Sequence, residues 1–543
     1  MVVLNNPGEA RSTLIIDADT SILNHPFDVA HLFVPLVLGA FVLDTPLPSG
    51  ATACLPSSAK CEKTRPFEYE PLNPLSKPQR SPLLSHPGVL RPLLILALPV
   101  LLEEVLNLCV SYTDLLLTSR YLLDDESKAA MGLMAYVLWL LPSLFASLYI
   151  GATALIARLY GQGDQVTANR ATHQALFMGV GFAIVIALAV ALLDQPFIAL
   201  MGLRGRSAEL AHQYAQILVP CIPLLMIEQV GIGCLHGAGD TLAGFVAKSS
   251  VALIDLGLSF CLVSGFWVFP NMGFRGLAIG TSIGHSIAGL IILIVLWRGR
   301  AGLRLGSVLF NIDRDLMARI LRPGIPGGID AIATLSCHLT YVAIINAVSL
   351  RAAAAHTVAV VVEALSYLPG SAFQVAAGAF TGQCLGASDP PRAQRGALVA
   401  ALFAAAIMGA AALVFFFAGR ELAALFTGDA NHPTTILAGR LLAIVAISTP
   451  FLAILQVFNG TLRGAGDTRF PLLVAFVGLA GLRIPLAIYF AWQAIKIPAL
   501  GIEIPCLGLG AQGAWYAMGI DVATRAILIS ARFFHGGWKK VEV

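Results

Sequence analysis

Hydrophobic stretches recur along the chain from Arg91 to Arg532, separated by short polar connections. Each stretch is about twenty residues long, which is enough for a helix to cross a hydrocarbon core of about 30 Å. Apolar and polar residues do not alternate with a period of two within the stretches, so a barrel of strands is disfavoured. The pattern therefore predicts an all-α polytopic membrane protein.

The stretches fall into two groups of six, on either side of a basic central connection. The spans predicted for the first half are 91–115, 129–157, 171–193, 211–234, 244–268 and 275–297. The spans predicted for the second half are 323–347, 354–381, 395–418, 436–460, 470–493 and 511–532. We therefore expect twelve transmembrane helices in two six-helix lobes.

The two halves are copies of one unit. The segment GCLHGAGDT at Gly233–Thr241 is nearly repeated as GTLRGAGDT at Gly460–Thr468. The same offset relates four further pairs of residues, namely Pro99 and Pro326, Pro142 and Pro369, Gly151 and Gly378, and Gln229 and Gln456. Agreement at one spacing over about 140 residues indicates an internal repeat. Because each half has an even number of spans, both copies enter the membrane in the same orientation and form a parallel repeat.

The central connection, Arg298–Arg322, carries six arginines against two aspartates. By the positive-inside rule this connection is cytoplasmic. Both termini then also face the cytoplasm. We expect the protein in the plasma (inner) membrane. The predicted domains are a first lobe with the central connection, 85–310, and a second lobe, 311–543.

Residues 1–84 differ from the rest of the chain. Ten of the thirty prolines lie between Pro46 and Pro92, and the apolar run His31–Leu43 is too short to span a membrane. The run lacks a basic leader and a nearby small-residue cleavage site, so a secretory signal is not favoured. We predict a disordered tail or an over-extended start of the gene.

The composition narrows the possible functions. The chain is 57% hydrophobic and 12% charged with a mean hydropathy of +0.80, and its net charge of +3 gives no reason to expect a nucleic-acid partner. The nine cysteines include no CxxC pair and no Cys/His ligand spacing, so neither a metal site nor a disulfide framework is expected. No HExxH, G-x-S-x-G or Cys/His cluster is found, so we expect neither an enzyme nor a cofactor.

Ionisable residues inside the apolar spans are the candidates for chemistry. A charge at the bilayer centre costs about 3 kcal/mol or more unless it faces a cavity or a partner. The candidates in the spans are Glu103, Glu104, Asp114, Glu228, Asp255, Asp330, Glu363 and Arg483. Each alone is explained by a snorkelling or paired structural charge. Together they predict a polar interior, a cation pathway or a proton relay, because Arg483 alone cannot neutralise seven carboxylates.

The repeat relates two of these acids to two prolines. Glu103 and Asp330 occupy equivalent positions, each one helical turn after Pro99 or Pro326 in the first span of its half. A proline in a membrane helix frees a carbonyl and permits a bend, so each acid is expected beside a hinge. We therefore hypothesise that protonation of either acid alters the local geometry.

Several separate stretches carry a family resemblance. They are LALPVLLEE at Leu96–Glu104, FPNMGFRGLAIGT at Phe269–Thr281, the small-residue helix Val362–Asp389 that closes in GQCLGA, and the carboxyl-terminal segment Gly513–Trp538. Over residues 90–543 the chain resembles the multidrug and toxic compound extrusion (MATE) family. The resemblance implies a V-shaped pair of six-helix lobes that exports organic cations or other amphipathic compounds. It also implies alternating access and exchange against entering protons or sodium ions.

The resemblance implies a cation site in the first lobe. The aspartate of the first span falls on Asp114, and the threonine of the sixth span falls on Thr281. The family's Asn-x-x-x-Asp pair of the fifth span reads Asp255-x-x-x-Ser259 here, which moves the acid by one helical turn.

In the second lobe, one branch of the family uses an acid in the seventh span and another in the tenth. Asp330 fits the first, but Pro450–Gly460 contains no acid, so Glu363 in the eighth span is the expected substitute. Arg483 is expected to hold Glu363 or Asp330 through a charge-assisted bond. The residues expected to act as hinges or supports are Pro99, Pro326, Glu103, Gln229, Gln456 and Arg483.

A second interpretation is a flippase for a lipid-linked precursor, an activity of related membrane families. Those families tend to line their cavities with basic residues, whereas acids dominate the spans here, so export of cations is favoured. The expected partners are a small-molecule substrate and membrane lipid, and a two-lobed transporter of this kind can work as a monomer.

Overall fold

The computed structural model describes residues 82–122, 124–266, 268–306, 312–497 and 502–543. Most of the predicted tail, 1–84, lies outside the described residues. Its last three residues belong to a one-turn helix, Pro82–Ser85, and Leu83 is buried in the core of the second lobe. Leu83 therefore covers an apolar surface of the second lobe, and the disorder of the tail stays a prediction.

Twelve long helices make up the described chain. Those of the first lobe are α1 (Leu90–Tyr121), α2 (Asp125–Gln162), α3 (Gln165–Leu200), α4 (Gly205–Ala238), α5 (Leu242–Ser264) and α6 (Phe274–Trp297). Those of the second lobe are α7 (Arg314–Asn346), α8 (Leu350–Gly386), α9 (Pro390–Thr427), α10 (Pro433–Gly464), α11 (Arg469–Ala491) and α12 (Gly510–His535). The predicted all-α fold with two six-helix lobes is confirmed.

Most helices extend beyond the predicted spans, because polar residues at their ends continue the helical hydrogen bonding and cap it. The Asp124 carboxylate accepts the Ser127 backbone N–H at 2.9 Å before α2, and the Asp313 carboxylate accepts the Leu316 backbone N–H at 3.2 Å before α7. The central connection consequently ends at Asp313, and the predicted end at Arg322 is wrong.

Among the described residues, eleven helices are long and apolar enough to cross a membrane. The exception is α12, which carries Asp521, Arg525 and Arg532. This helix packs against α10 and α11, and the ring of Phe533 stacks on that of Phe458 with centroids 4.1 Å apart. Its charges therefore lie against protein.

Three irregular features were not predicted. A 3₁₀ turn at Val219–Cys221 interrupts α4, and α11 contains a π-helical segment, Phe476–Arg483. Two antiparallel strands, β1 (Ala494–Ile497) and β2 (Ile502–Pro505), form a hairpin between α11 and α12. Such π segments often occur at functional sites, and this one ends at Arg483.

The lobes pack closely on one face, which we call the terminus side because α1 begins and α12 ends there. Glycines allow this approach: a Cβ on Gly151 would lie 2.1 Å from the Ile320 carbonyl oxygen, and one on Gly161 would lie 2.0 Å from the Gln383 carbonyl oxygen. The Gln383 side chain also donates to the Gly237 carbonyl at 2.9 Å. These contacts of α2 and α4 with α7 and α8 form the seam between the lobes.

A cavity of about 910 Å³ lies between the lobes. Its described lining comes from both lobes and includes residues of all the long helices except α3 and α9. The repeat thus places one half of the cavity wall on each copy of the unit.

Candidate functional site

Thr281 brings together the carboxylates predicted for the first lobe. Its hydroxyl oxygen lies 3.0 Å from Asp255 Oδ1 and 3.4 Å from Asp114 Oδ2, so its single proton serves one carboxylate at a time. The Tyr214 hydroxyl donates to the Thr281 hydroxyl at 3.3 Å. Helices α1, α4, α5 and α6 therefore converge on one buried polar cluster.

Ser259 completes this cluster from the turn after Asp255. Its hydroxyl donates to Asp255 Oδ1 at 3.2 Å. The approach of α6 depends on Gly280, because a Cβ there would lie 2.0 Å from Ser259 Oγ. All four predicted residues of the first-lobe site are thus adjacent.

Two oxygens of the cluster have no hydrogen-bond partner in the described chain. They are Asp114 Oδ1 and Asp255 Oδ2, and both are inaccessible to solvent. An unsatisfied buried carboxylate oxygen is costly, and no Lys or Arg forms an ion pair with either aspartate among the described residues. The arrangement is chemically suited to take up a proton or a small cation.

A second polar cluster of the first lobe contains a buried ion pair. Glu228 on α4 lies 2.5 Å from Lys248 Nζ on α5 and 2.7 Å from His285 Nδ1 on α6. Lys248 and His285 were missed by the sequence analysis. The available indication was a lysine near the start of an apolar helix, where an unpaired ammonium is disfavoured.

A third cluster of the first lobe holds Glu103. His236 Nε2 lies 3.3 Å from Glu103 Oε1, and His236 Nδ1 lies 3.2 Å from the Tyr149 hydroxyl. Glu103 and His236 both line the cavity, near the seam.

In the second lobe, Asp330 forms an ion pair with Arg463 on α10. Both residues line the cavity. Asp330 is therefore held by Arg463, and its predicted pairing with Arg483 is wrong.

Arg483 pairs with Asp521 on α12. Arg483 Nε lies 2.8 Å from Asp521 Oδ2, and Arg525 Nε lies 2.8 Å from Asp521 Oδ1. The predicted pairing of Arg483 with Glu363 is also wrong, because the buried Asp521 carboxylate offers both oxygens to two guanidinium groups. Asp521 was missed, although it lies inside the twelfth predicted span, 511–532.

Arg483 was the only base among the predicted candidates, but other bases also line the cavity. Among the described residues, four lysine and arginine side chains line the cavity, namely Lys248, Arg463, Arg483 and Arg525. Each forms an ion pair with a buried carboxylate. The sequence analysis missed three of them. Lys248 and Arg463 lie near helix ends, and Arg525 lies in α12.

Other predicted residues also line the cavity. Glu363 faces it with no hydrogen bond or ion pair to its carboxylate from any described residue, and the Glu104 side chain is hydrogen-bonded by Asn107. Gln229 and Gln456 line it from equivalent positions of the two lobes.

The predicted hinges lie inside long helices. Helix α1 is continuous through Pro99, and α7 is continuous through Pro326. Their bending stays a prediction.

Comparisons with known proteins agree with this architecture. The family model MatE matches residues 99–261 and again residues 326–489, one match for each copy of the repeat. The chain is 25% identical over 463 residues to the probable multidrug resistance protein NorM of Thermotoga maritima, which covers 84% of this chain and 95% of that protein.

Two solved structures share the fold. The crystal structure of MATE in complex with MaL6 superimposes with a TM-score of 0.76 at 20% identity and covers 85% of this chain and 100% of that one. A MOP superfamily transporter from Pyrococcus furiosus superimposes with a TM-score of 0.75 at 19% identity, over 85% and 99% of the two chains. The chain belongs to the MATE family of multi-pass membrane efflux transporters.

Proposed function

We propose that this protein exports organic cations or other amphipathic compounds through the cavity between its lobes, in exchange for entering protons or sodium ions. The proposal includes no chemical step and no cofactor beyond the coupling ion. It agrees with the multidrug resistance role in the name of the Thermotoga maritima relative.

The observation that carries the proposal is the cluster around Thr281. Two buried carboxylates, Asp114 and Asp255, share one hydroxyl donor, and each keeps an unpartnered oxygen. Asp114 also lines the cavity. A carboxylate in this position attracts a cation, and binding of a proton or sodium ion removes that attraction.

The balance of paired and unpaired charges supports a cationic substrate. Every Lys and Arg of the described cavity lining is in an ion pair with a buried carboxylate. By contrast, Glu104, Asp114 and Glu363 line the cavity without a basic partner in an ion pair among the described residues. The cavity therefore attracts positive charge overall. Arg483 and Arg525 share the single carboxylate of Asp521, but the unpaired carboxylates outnumber this one excess base.

A flippase for a lipid-linked precursor is the alternative. For the Pyrococcus furiosus transporter, reverse polarity of the binding pocket suggests a different function. The basic residues in this cavity would favour an anionic lipid if they were free, but their carboxylate partners already occupy them. Cation export remains the better proposal.

We further propose alternating access in the plasma membrane, with both termini in the cytoplasm. In that orientation the seam on the terminus side closes the cytoplasmic entrance, and the cavity is available from outside. Because both halves of the cavity wall come from one chain, a monomer is sufficient. Binding of substrate or coupling ion shifts the populations of the two openings.

The test is efflux of a fluorescent organic cation from proteoliposomes under an imposed proton gradient and then a sodium gradient. We expect one gradient to drive efflux, and we expect Asp114→Asn to lower the rate by about tenfold or more because the coupling carboxylate is lost. Asp330→Asn is the second-lobe comparison. Asp125→Asn is the control, since its side chain is 99% exposed at the start of α2.

If Asp330→Asn alone abolishes coupling, the second lobe carries the coupling ion and the assignment to Asp114 is wrong. If neither gradient moves the dye while the protein is folded, cation antiport is wrong. Lipid-linked and other anionic substrates would then be tested in the same vesicles.

A further inference from the structure

The repeated motif places a base at the same position in each lobe. His236 in GCLHGAGDT and Arg463 in GTLRGAGDT are related by the offset of the repeat, as are their acidic partners Glu103 and Asp330. The two pairs are therefore one structural element, used twice. They differ in the base, which is an imidazole in the first lobe and a guanidinium in the second.

The surroundings of His236 accommodate two protonation states. With a proton on Nε2 alone, the imidazole donates to Glu103, and Nδ1, 3.2 Å from the Tyr149 hydroxyl, accepts from it. With both nitrogens protonated, Nδ1 donates to the same hydroxyl oxygen. Each ring nitrogen therefore has a partner in both states. The position equivalent to Tyr149 in the second lobe is Ala376, which offers no such partner.

The pair is buried but adjoins the cavity. Glu103 is 5% exposed and His236 is 2% exposed, and both contribute to the cavity lining. Gly244 on α5 makes room for them, because a Cβ there would lie 2.5 Å from Glu103 Oε1 and 3.0 Å from His236 Nε2. The carbonyl of the next residue, Gly237, accepts the Gln383 side chain across the seam. The pair thus lies where the cavity meets the seam.

The charged and titratable groups around the pair come from six helices. Glu104 on α1, Tyr149 on α2, Lys248 on α5 and Arg463 on α10 are nearest, and Glu228 on α4 and His285 on α6 lie beyond Lys248. Lys248 is bound to Glu228, and Arg463 is bound to Asp330. Glu104 has no basic partner in an ion pair, so a proton on His236 gains from two neighbouring carboxylates.

We propose that the Glu103–His236 pair is a proton-binding site whose proton competes with the organic cation in the cavity. The competition rests on the proposed function. With a neutral imidazole the pair carries one negative charge and attracts the cation. A proton taken from cavity water onto Nδ1 makes the pair neutral and weakens that attraction. The Asp330–Arg463 pair stays neutral throughout, because a guanidinium does not lose its proton in this range.

The first test measures the dissociation constant of tetraphenylphosphonium for the purified protein between about pH 6 and pH 8, where histidine titrates. For the wild type we expect affinity to weaken by about tenfold toward the acidic end. The His236→Arg variant is expected to bind tetraphenylphosphonium weakly over the whole pH range and to lose this tenfold change. Arg463→His is expected to add a further pH-dependent step, since it gives the second lobe a titratable pair.

His285→Gln is the matched control, because it removes the other histidine that lines the cavity from the first lobe. It is expected to keep the wild-type pH dependence. If His236→Arg keeps the wild-type profile, or if folded Arg463→His adds no step, the proposal is overturned.

A second measurement does not depend on transport. Histidine-labelled protein in lipid nanodiscs gives an imidazole resonance for His236, assigned by its loss in His236→Arg. We expect this resonance to titrate between about pH 5 and pH 8. A resonance that keeps one state over that range contradicts the site. If it titrates but the protein moves no cation in the efflux assay, the proposed function and the competition fail while proton binding stands.

Discussion

The two lobes share a backbone plan but neutralise their buried acids with different bases. In the first lobe, Glu103 faces His236. At the equivalent place in the second lobe, Asp330 faces Arg463. The base of the first lobe is an imidazole, and the base of the second lobe is a guanidinium.

A second pair of buried clusters differs between the lobes in the same way. Among the described residues, each lobe has a fully buried carboxylate between two bases: Glu228 lies between Lys248 and His285, and Asp521 lies between Arg483 and Arg525. The first lobe again includes a histidine, and the second again uses only arginine. The two copies of the unit thus share one framework, and in these two pairs of clusters the first lobe includes an imidazole where the second has only guanidinium groups.

The largest effect is expected where the fixed charges of the second lobe lose their shared partner. Asp521→Asn leaves two buried guanidinium groups without a carboxylate, at a cost of about 3–5 kcal/mol. We expect a marked fall in the apparent melting temperature of the protein in detergent. The melting temperature is measured by size-exclusion chromatography of samples heated to a series of temperatures. Glu363→Gln is the control, since Glu363 lines the cavity without an ion pair from the described residues. Equal melting of the two variants would mean that the arginine pair does not stabilise the second lobe.

An intermediate effect is expected at equivalent glycines that have different neighbours. Gly151→Ala places a methyl group 2.1 Å from the Ile320 carbonyl oxygen of the other lobe, which costs about 1–3 kcal/mol while the seam is closed. The distance between spin labels, one on each lobe at the terminus side, should therefore increase.

Gly378→Ala is the matched variant for the seam. Its methyl group would lie 2.9 Å from the Gly460 carbonyl oxygen of its own lobe, so the label distance should stay near the wild-type value. Equal label distances in the two alanine variants would refute the assignment of Gly151 to the seam.

The smallest effect is expected at a single hydroxyl. Thr281→Val removes the donor shared by Asp114 and Asp255, and a hydrogen bond of this kind contributes about 1 kcal/mol, or about fivefold in affinity. The coupling-ion concentration for half-maximal efflux should change by about that factor. Thr449→Val removes only a bond to the Val445 carbonyl on its own helix, and is expected to leave this concentration nearly unchanged. A similar response of both variants would argue against a first-lobe ion site at Thr281.

The sequence determined the helical membrane fold, because apolar length and internal repetition are properties of the chain alone. Twelve spans, two lobes and the constant offset between their copies could all be predicted from these patterns. The adjacency of Asp114, Asp255, Ser259 and Thr281 was also predicted, through a family resemblance that assigned each to a span.

Only the tertiary structure decided which charges are neutralised. Arg483 was expected beside Glu363 or Asp330, yet it lies against Asp521, which is 38 residues away on α12. Asp330 is held instead by Arg463, 133 residues away. A carboxylate pairs with whichever base the helix packing brings within a few ångströms, and periodicity specifies the face of a helix without specifying its neighbour. The His236 and Arg463 of the repeated motif are visible in the sequence, but their different roles depend on the acids that the fold places against them.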